Sequence, residues 1–162
     1  MDNQFGKEQR LKVGRAVGLF VPSQKFVTYS DGSSGFAPTT DLDHFKCYSV
    51  KGESVKQMVQ LGDELIKMTP AGVYAPSMLC NPVVKVHATD GSTAVRTNIQ
   101  NPDDHLVCYK VRMAQSTHEV MFHNQFEPER TTVIEGPNLL CVPSLKRHLT
   151  DGNGGKGGRG GG

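Results

Sequence analysis

The chain has 162 residues, 36% hydrophobic and 21% charged, with a formal net charge of +2. Eight of its 18 glycines fall in the last twelve residues, so about 150 residues remain to build a core. No apolar run reaches the roughly 18–20 residues of a membrane-spanning helix, and the small positive charge does not point to nucleic acid. Membrane insertion and nucleic-acid binding are therefore not expected.

In chain order, the first element is a partial repeat. Asn3-Gln4-Phe5 precedes Val21-Pro22-Ser23-Gln24-Lys25 at the spacing that later separates Asn124-Gln125-Phe126 from Val142-Pro143-Ser144-Leu145-Lys146. We take residues 1–27 as a degenerate half-repeat and 28–40, rich in Ser, Gly, Thr and Pro, as a linker. Met1 stands directly before a repeat element rather than before a basic and apolar leader. The chain is accordingly expected to be part of a longer repeat protein.

Residues 41–86 form the first full repeat. It opens on Asp43-His44-Phe45-Lys46-Cys47-Tyr48-Ser49-Val50, which reappears without gaps 61 residues later as Asp104-His105-Leu106-Val107-Cys108-Tyr109-Lys110-Val111. Phe45 and Cys47 alternate with Tyr48 and Val50 as on the two faces of a strand. Ser54–Met68 is readable as an amphipathic helix interrupted by Gly62. Its alignment with a β-like segment of the second copy favours strand–turn–strand. The repeat ends on Leu79-Cys80-Asn81-Pro82. Residues 87–100 read as a second linker with a turn at Asp90-Gly91-Ser92.

Residues 101–149 form the second full repeat. In its opening strand Val107, Tyr109 and Val111 share one face, and Leu106 and Cys108 the other. Glu119–His123, Thr131–Ile134 and Leu139–Val142 are further strand candidates, the last expected to end at Pro143 for want of an amide donor. Residues 150–162 are a Gly-rich tail that has nothing to bury, and disorder is expected there. The expected architecture is all-β: two tandem repeats of about 61 residues in a pseudo-symmetric sandwich or barrel, after a half-repeat.

The cysteines carry the sharpest chemistry. Cys47 and Cys80 are 33 residues apart, and so are Cys108 and Cys141. Four cysteines allow three pairings, and the equal spacing favours Cys47–Cys80 and Cys108–Cys141 without fixing the connectivity. Phe20 occupies the second-cysteine position of the half-repeat, whose first strand is absent. The competing reading is a metal site built on His44-x2-Cys47 and His105-x2-Cys108. Residues three apart on a strand face opposite ways, and each repeat offers too few close ligands for zinc. No metal and no cofactor are expected.

No catalytic set emerges. Asp43-His44 and Asp104-His105 resemble acid–base pairs, but a turn or cap before a strand explains them without chemistry. Ser23 and Ser144 lack the surroundings of a nucleophile elbow. Asp63, Glu64, Glu127 and Glu129 are spread over turns rather than paired. There is no Trp to serve as a sugar platform.

The motif series His44-x2-Cys47-Tyr48, Cys80-Asn81-Pro82-x2-Lys85, His105-x2-Cys108-Tyr109, Asn124-Gln125-Phe126 and Cys141-x-Pro143-x2-Lys146 resembles a family of uncharacterised bacterial secreted repeat domains. The resemblance implies an extracellular location and structural roles for these repeated residues, and it brings no known activity. The middle copy departs from the pattern at Asp63-Glu64-Leu65, which weakens the turn expected there. The function that follows is a non-catalytic extracellular structural or interaction module, with a surface protein or a polysaccharide as its partner. The alternatives are an extracellular polymer-acting hydrolase or lyase, and a small metal-binding or redox module.

Overall fold

The computed structural model describes residues 1–7, 9–28, 32–36, 42–63, 65–87 and 94–146. The glycine-rich tail lies outside the described residues. The opening half contributes β1 (Lys12–Phe20), β2 (Ser23–Thr28) and β3 (Ser34–Phe36). The first repeat supplies β4 (His44–Lys51), β5 (Gln57–Leu61) and β6 (Thr69–Val83), followed by β7 (Lys85–His87) and β8 (Val95–Thr97). The second repeat supplies β9 (His105–Arg112), β10 (His118–Asn124), β11 (Arg130–Ile134) and β12 (Leu139–Ser144). The chain is all-β. Ser54–Met68 contributes β5 and a turn leading into β6, and no helix forms among the described residues.

The main sheet has the order β1-β4-β6-β9-β12, with β5 added to the first part of β6. Every neighbouring pair in it is antiparallel. The order alternates the last strand of one repeat with the first strand of the next. Each repeat thus adds two strands to the same side, and the sheet extends sideways. Among the described residues it does not close into a barrel: β1 and β12 end the path. A second sheet, β11-β10-β2-β3, joins strands of the second repeat to strands of the opening half. Short strands also form in the two stretches that read as linkers. β2–β3 and β7–β8 are hairpins of matching register, with Phe26 opposite Phe36 and Val86 opposite Arg96.

The two junctions between repeats are built alike. Across β1 and β4 the partners are Val13↔Val50, Ala16↔Tyr48, Gly18↔Cys47 and Phe20↔Phe45. Across β6 and β9 they are Val73↔Val111, Pro76↔Tyr109, Met78↔Cys108 and Cys80↔Leu106. Both ladders slip at the same two steps. Pro76 sits in that irregularity, where a missing amide donor costs no ladder bond.

Pro143 does not end the last strand, contrary to the sequence expectation: β12 continues through it to Ser144. The reason is position. Among the described residues β12 pairs in the main sheet with β9 alone, so a proline nitrogen can face the side where no ladder forms among them. Pro82 is similarly tolerated, because the β6–β9 ladder stops at Cys80↔Leu106.

Alternation along the strands makes two clusters. Val50, Val73, Leu79, Val107, Tyr109, Val111 and Val142 pack together with Phe5 on one face. Cys47, Cys80 and Cys108 pack on the other, with Phe45, Met78, Leu106 and Cys141 beside them. Burying one such valine contributes roughly 1.5–3 kcal/mol.

One turn recurs three times. Asn3 Oδ1 accepts the Phe5 amide at 2.9 Å. Asn124 Oδ1 accepts the amides of Phe126 and Glu127 at 2.8 and 3.2 Å. In the middle copy Asp63 Oδ1 accepts those of Leu65 and Ile66 at 2.8 and 2.9 Å. The departure to Asp63 therefore keeps the turn, since an aspartate oxygen accepts backbone amides as an asparagine oxygen does.

Equivalent positions differ sharply in burial. Val73 is 0% exposed, whereas Val13, at the same place in the edge strand β1, is 51% exposed. Val73→Ala should cost about 2 kcal/mol and Val13→Ala less than about 0.5 kcal/mol, as read from denaturant unfolding midpoints.

Candidate functional site

The four cysteines of the recurring motifs meet in the middle of the main sheet. Cys47 is bonded to Cys80, and Cys108 to Cys141. Within each pair the cysteines stand directly opposite on adjacent strands, with Cα atoms 4.0 and 3.8 Å apart. Such a close approach belongs to the non-hydrogen-bonded positions of an antiparallel ladder. Cys80 Sγ lies 4.0 Å from Cys108 Sγ, so the two disulfides form one row of sulfur across four strands. Cys47, Cys80 and Cys108 are fully buried. None of the four is a free thiol.

The Asp-His pairs are placed for structure. Asp43 is buried, and its two carboxylate oxygens accept the backbone amides of Gln100 and Asn101, each at 2.7 Å. It thereby ties the entry of the second repeat to the start of the first. A hydrogen bond to a charged group of this kind contributes about 1.5–3 kcal/mol. Asp104, its counterpart, is exposed. His44 is buried, and its Nδ1 has no hydrogen-bond partner among the described residues. His105 faces Ser144 across the β9–β12 ladder. The Ser144 hydroxyl donates to the Val142 carbonyl at 3.0 Å and accepts from Asn3 Nδ2 at 3.0 Å, so it is held within the fold.

Tyr109 is the polar hub. It is fully buried. Its hydroxyl donates to Gln9 Oε1 at 2.7 Å and accepts from Asn3 Nδ2 at 2.9 Å. The ring of Phe5 meets it edge-on, with centroids 5.0 Å apart at 74°. Such a contact adds about 0.5–1.5 kcal/mol to simple burial. The opening turn is thus a plug seated on the second repeat, over a hundred residues away. Asp2 fastens it further by exchanging backbone hydrogen bonds with Leu145. Sequence reasoning found Asn3 and Phe5 as repeat motifs but not as partners of Tyr109.

The equivalent residues elsewhere are placed differently. Tyr48 is half-buried, with the Lys46 ammonium 5.6 Å from its ring centre. Phe126 is 66% exposed, where Phe5 is 7% exposed. Asn124 holds its turn and donates to Ser23 Oγ at 3.3 Å, while Gln125 is exposed. Pro82 and Pro143 stand opposite Phe45 and Leu106. The motif residues therefore do not gather around a common cleft.

Two concavities lie elsewhere. One, of about 470 Å³, runs beside the N-terminal plug and is lined by Lys7, Arg10, Glu53 and Val55 among others. The second, of about 540 Å³, is a shallow hollow at Phe36, His123 and Pro128. Among the described residues no group of three or more His, Cys, Asp or Glu side chains is arranged to hold a metal ion.

The Tyr109 hub yields a paired test. Tyr109→Phe should cost about 1–2 kcal/mol, because Asn3 and Gln9 lose their partner. It should also speed hydrogen exchange in the first six residues. Phe126→Ala should change stability by less than about 0.5 kcal/mol.

No curated protein and no solved structure matches the chain at a significant level. A family model described as a repeat of unknown function, DUF7450, matches residues 1–143 of the chain. The chain therefore belongs to the DUF7450 family of repeats of unknown function.

Proposed function

We propose that the chain is a non-catalytic structural or interaction module that works outside the cell. The observation that carries this reading is the use made of the recurring residues. The cysteines are bonded to one another, Asn3, Asp63 and Asn124 close turns, and Tyr109 anchors the N-terminal plug. What the repeats hold in common serves folding. The disulfides are compatible with an oxidising compartment, which supports the extracellular placement. A protein partner fits better than a polysaccharide. The tyrosines of the repeat motif lie in the sheet, one of them fully buried, rather than standing out as sugar platforms.

The reading is tested by cysteine chemistry and stability. Alkylation of the denatured, unreduced protein should label no cysteine, and prior reduction should expose all four. Replacing Cys108 and Cys141 together by Ala should cost on the order of 3–4 kcal/mol, read as a lowered unfolding midpoint. Four reactive thiols in protein recovered from an oxidising compartment, or turnover of a polymer substrate, would defeat the proposal.

A further inference from the structure

The last strands of the repeats are equivalent, yet β12 differs from the others in its surroundings. β1 carries the first strand β4 on one edge, and β6 carries the first strand β9 on the same edge in the same register. Among the described residues β12 pairs in the main sheet with β9 alone. Its other edge corresponds to the one that receives β4 and β9.

Side chains near that edge are correspondingly less covered. Ile134, the counterpart of fully buried Val73, is 39% exposed. Leu140 is half-buried where Leu79 is buried, and Cys141 is half-buried while the other three cysteines are fully buried. The backbone shows the same difference. β6 is one strand of 15 residues, held by β9 along Gly72, Val73 and Pro76. Its counterpart is broken into β11 and β12, with 135–138 outside any strand.

We propose that the edge of β12 away from β9 is an interaction surface for a first strand of the same type, supplied by a further repeat of this family and added antiparallel to the sheet. Strand addition of this kind draws affinity from main-chain hydrogen bonds and specificity from alternate side chains. By the register of the two existing junctions, the Phe/Leu of the incoming strand stands opposite Cys141. Its cysteine stands opposite Leu139, its tyrosine opposite Pro137 and its valine opposite Ile134. A second copy of this chain is a poor donor, since β4 and β9 each have strands on both edges. The tail 151–162, made of Gly with a few polar and charged residues, lacks the β-branched and aromatic residues such a strand needs. The proposal rests on reading the chain as a structural repeat module and names the kind of partner that module takes.

The test uses the full chain and a synthetic peptide of the Asp104–Arg112 sequence carrying Cys108→Ser, which prevents disulfide exchange. Hydrogen–deuterium exchange is followed with rising peptide. Saturable slowing of at least tenfold across 134–142 is expected, extending into 135–138 as that segment is drawn into the sheet. The same peptide with Val107→Pro and Val111→Pro should have no effect. No slowing at millimolar peptide, equal slowing by a scrambled peptide, or protection confined to 12–20 would overturn the proposal. Peptide-independent dimerisation that protects 134–142 would overturn it too, by making a second copy the occupant. Cysteine alkylation is a separate readout, so an unbound peptide with four protected cysteines would sink the docking edge and leave the module reading standing.

Discussion

Cys47 can stay bonded to Cys80 only while the two stand opposite each other on adjacent strands, and Cys108 is bound to Cys141 by the same condition. Much of the structure depends on that constraint. A slip of one residue in either ladder would turn every side chain to the other face. Val107, Tyr109 and Val111 would then leave the core, and the sulfur row would break. The cross-links therefore act on register as much as on chain entropy. Two junctions between repeats, which have no cross-link, copy that register through identical pairings and identical irregularities. Contact between Cys80 and Cys108 links the two bonded pairs into one buried row, so neither repeat is packed independently of the other.

Within this frame equal sequence motifs meet unequal neighbours. Phe5 and Phe126 occupy the same place in the same turn, but one is packed on Tyr109 and the other is exposed. Val73 and Val13 are likewise equivalent in the repeat and opposite in burial. Repetition specifies the local conformation, because turn geometry and strand alternation need only nearby residues. Burial is decided by which strand or plug happens to lie alongside. The stabilisation carried by a motif residue is thus a property of its position in the array.

That division explains what could be read from the sequence. The strands opening the two repeats were legible because alternation is local, and the repeat period was visible in the cysteine spacing. The turn at Asp63 departs from the motif in residue identity, yet the oxygen that closes it is common to Asp and Asn. Three features depend on which segment comes to lie alongside. Pro143 lies within a strand whose ladder among the described residues runs on the β9 side alone. Ser34–Phe36 and Val95–Thr97 become strands because each finds a partner across a hairpin, despite compositions that suggest loops. Asp43 is buried because the amides of Gln100 and Asn101 are brought to it. No periodicity along the chain encodes such encounters.

Several of the buried polar residues are engaged within the fold itself, although the buried His44 Nδ1 has no partner among the described residues. Asp43 holds two amides, Ser144 is engaged by Val142 and Asn3, and the Tyr109 hydroxyl serves two side chains. A buried polar group left unpaired costs about 1–3 kcal/mol, so small repeats with limited cores have strong reason to satisfy each one internally. Groups bound in this way are not available to a substrate. The features left to meet another molecule are those the repeat pattern exposes: sheet edges, half-covered apolar side chains and the turn at Phe126. In a protein that grows by adding strands, an edge left uncovered among the described residues has the shape and register of the junctions already built within the sheet.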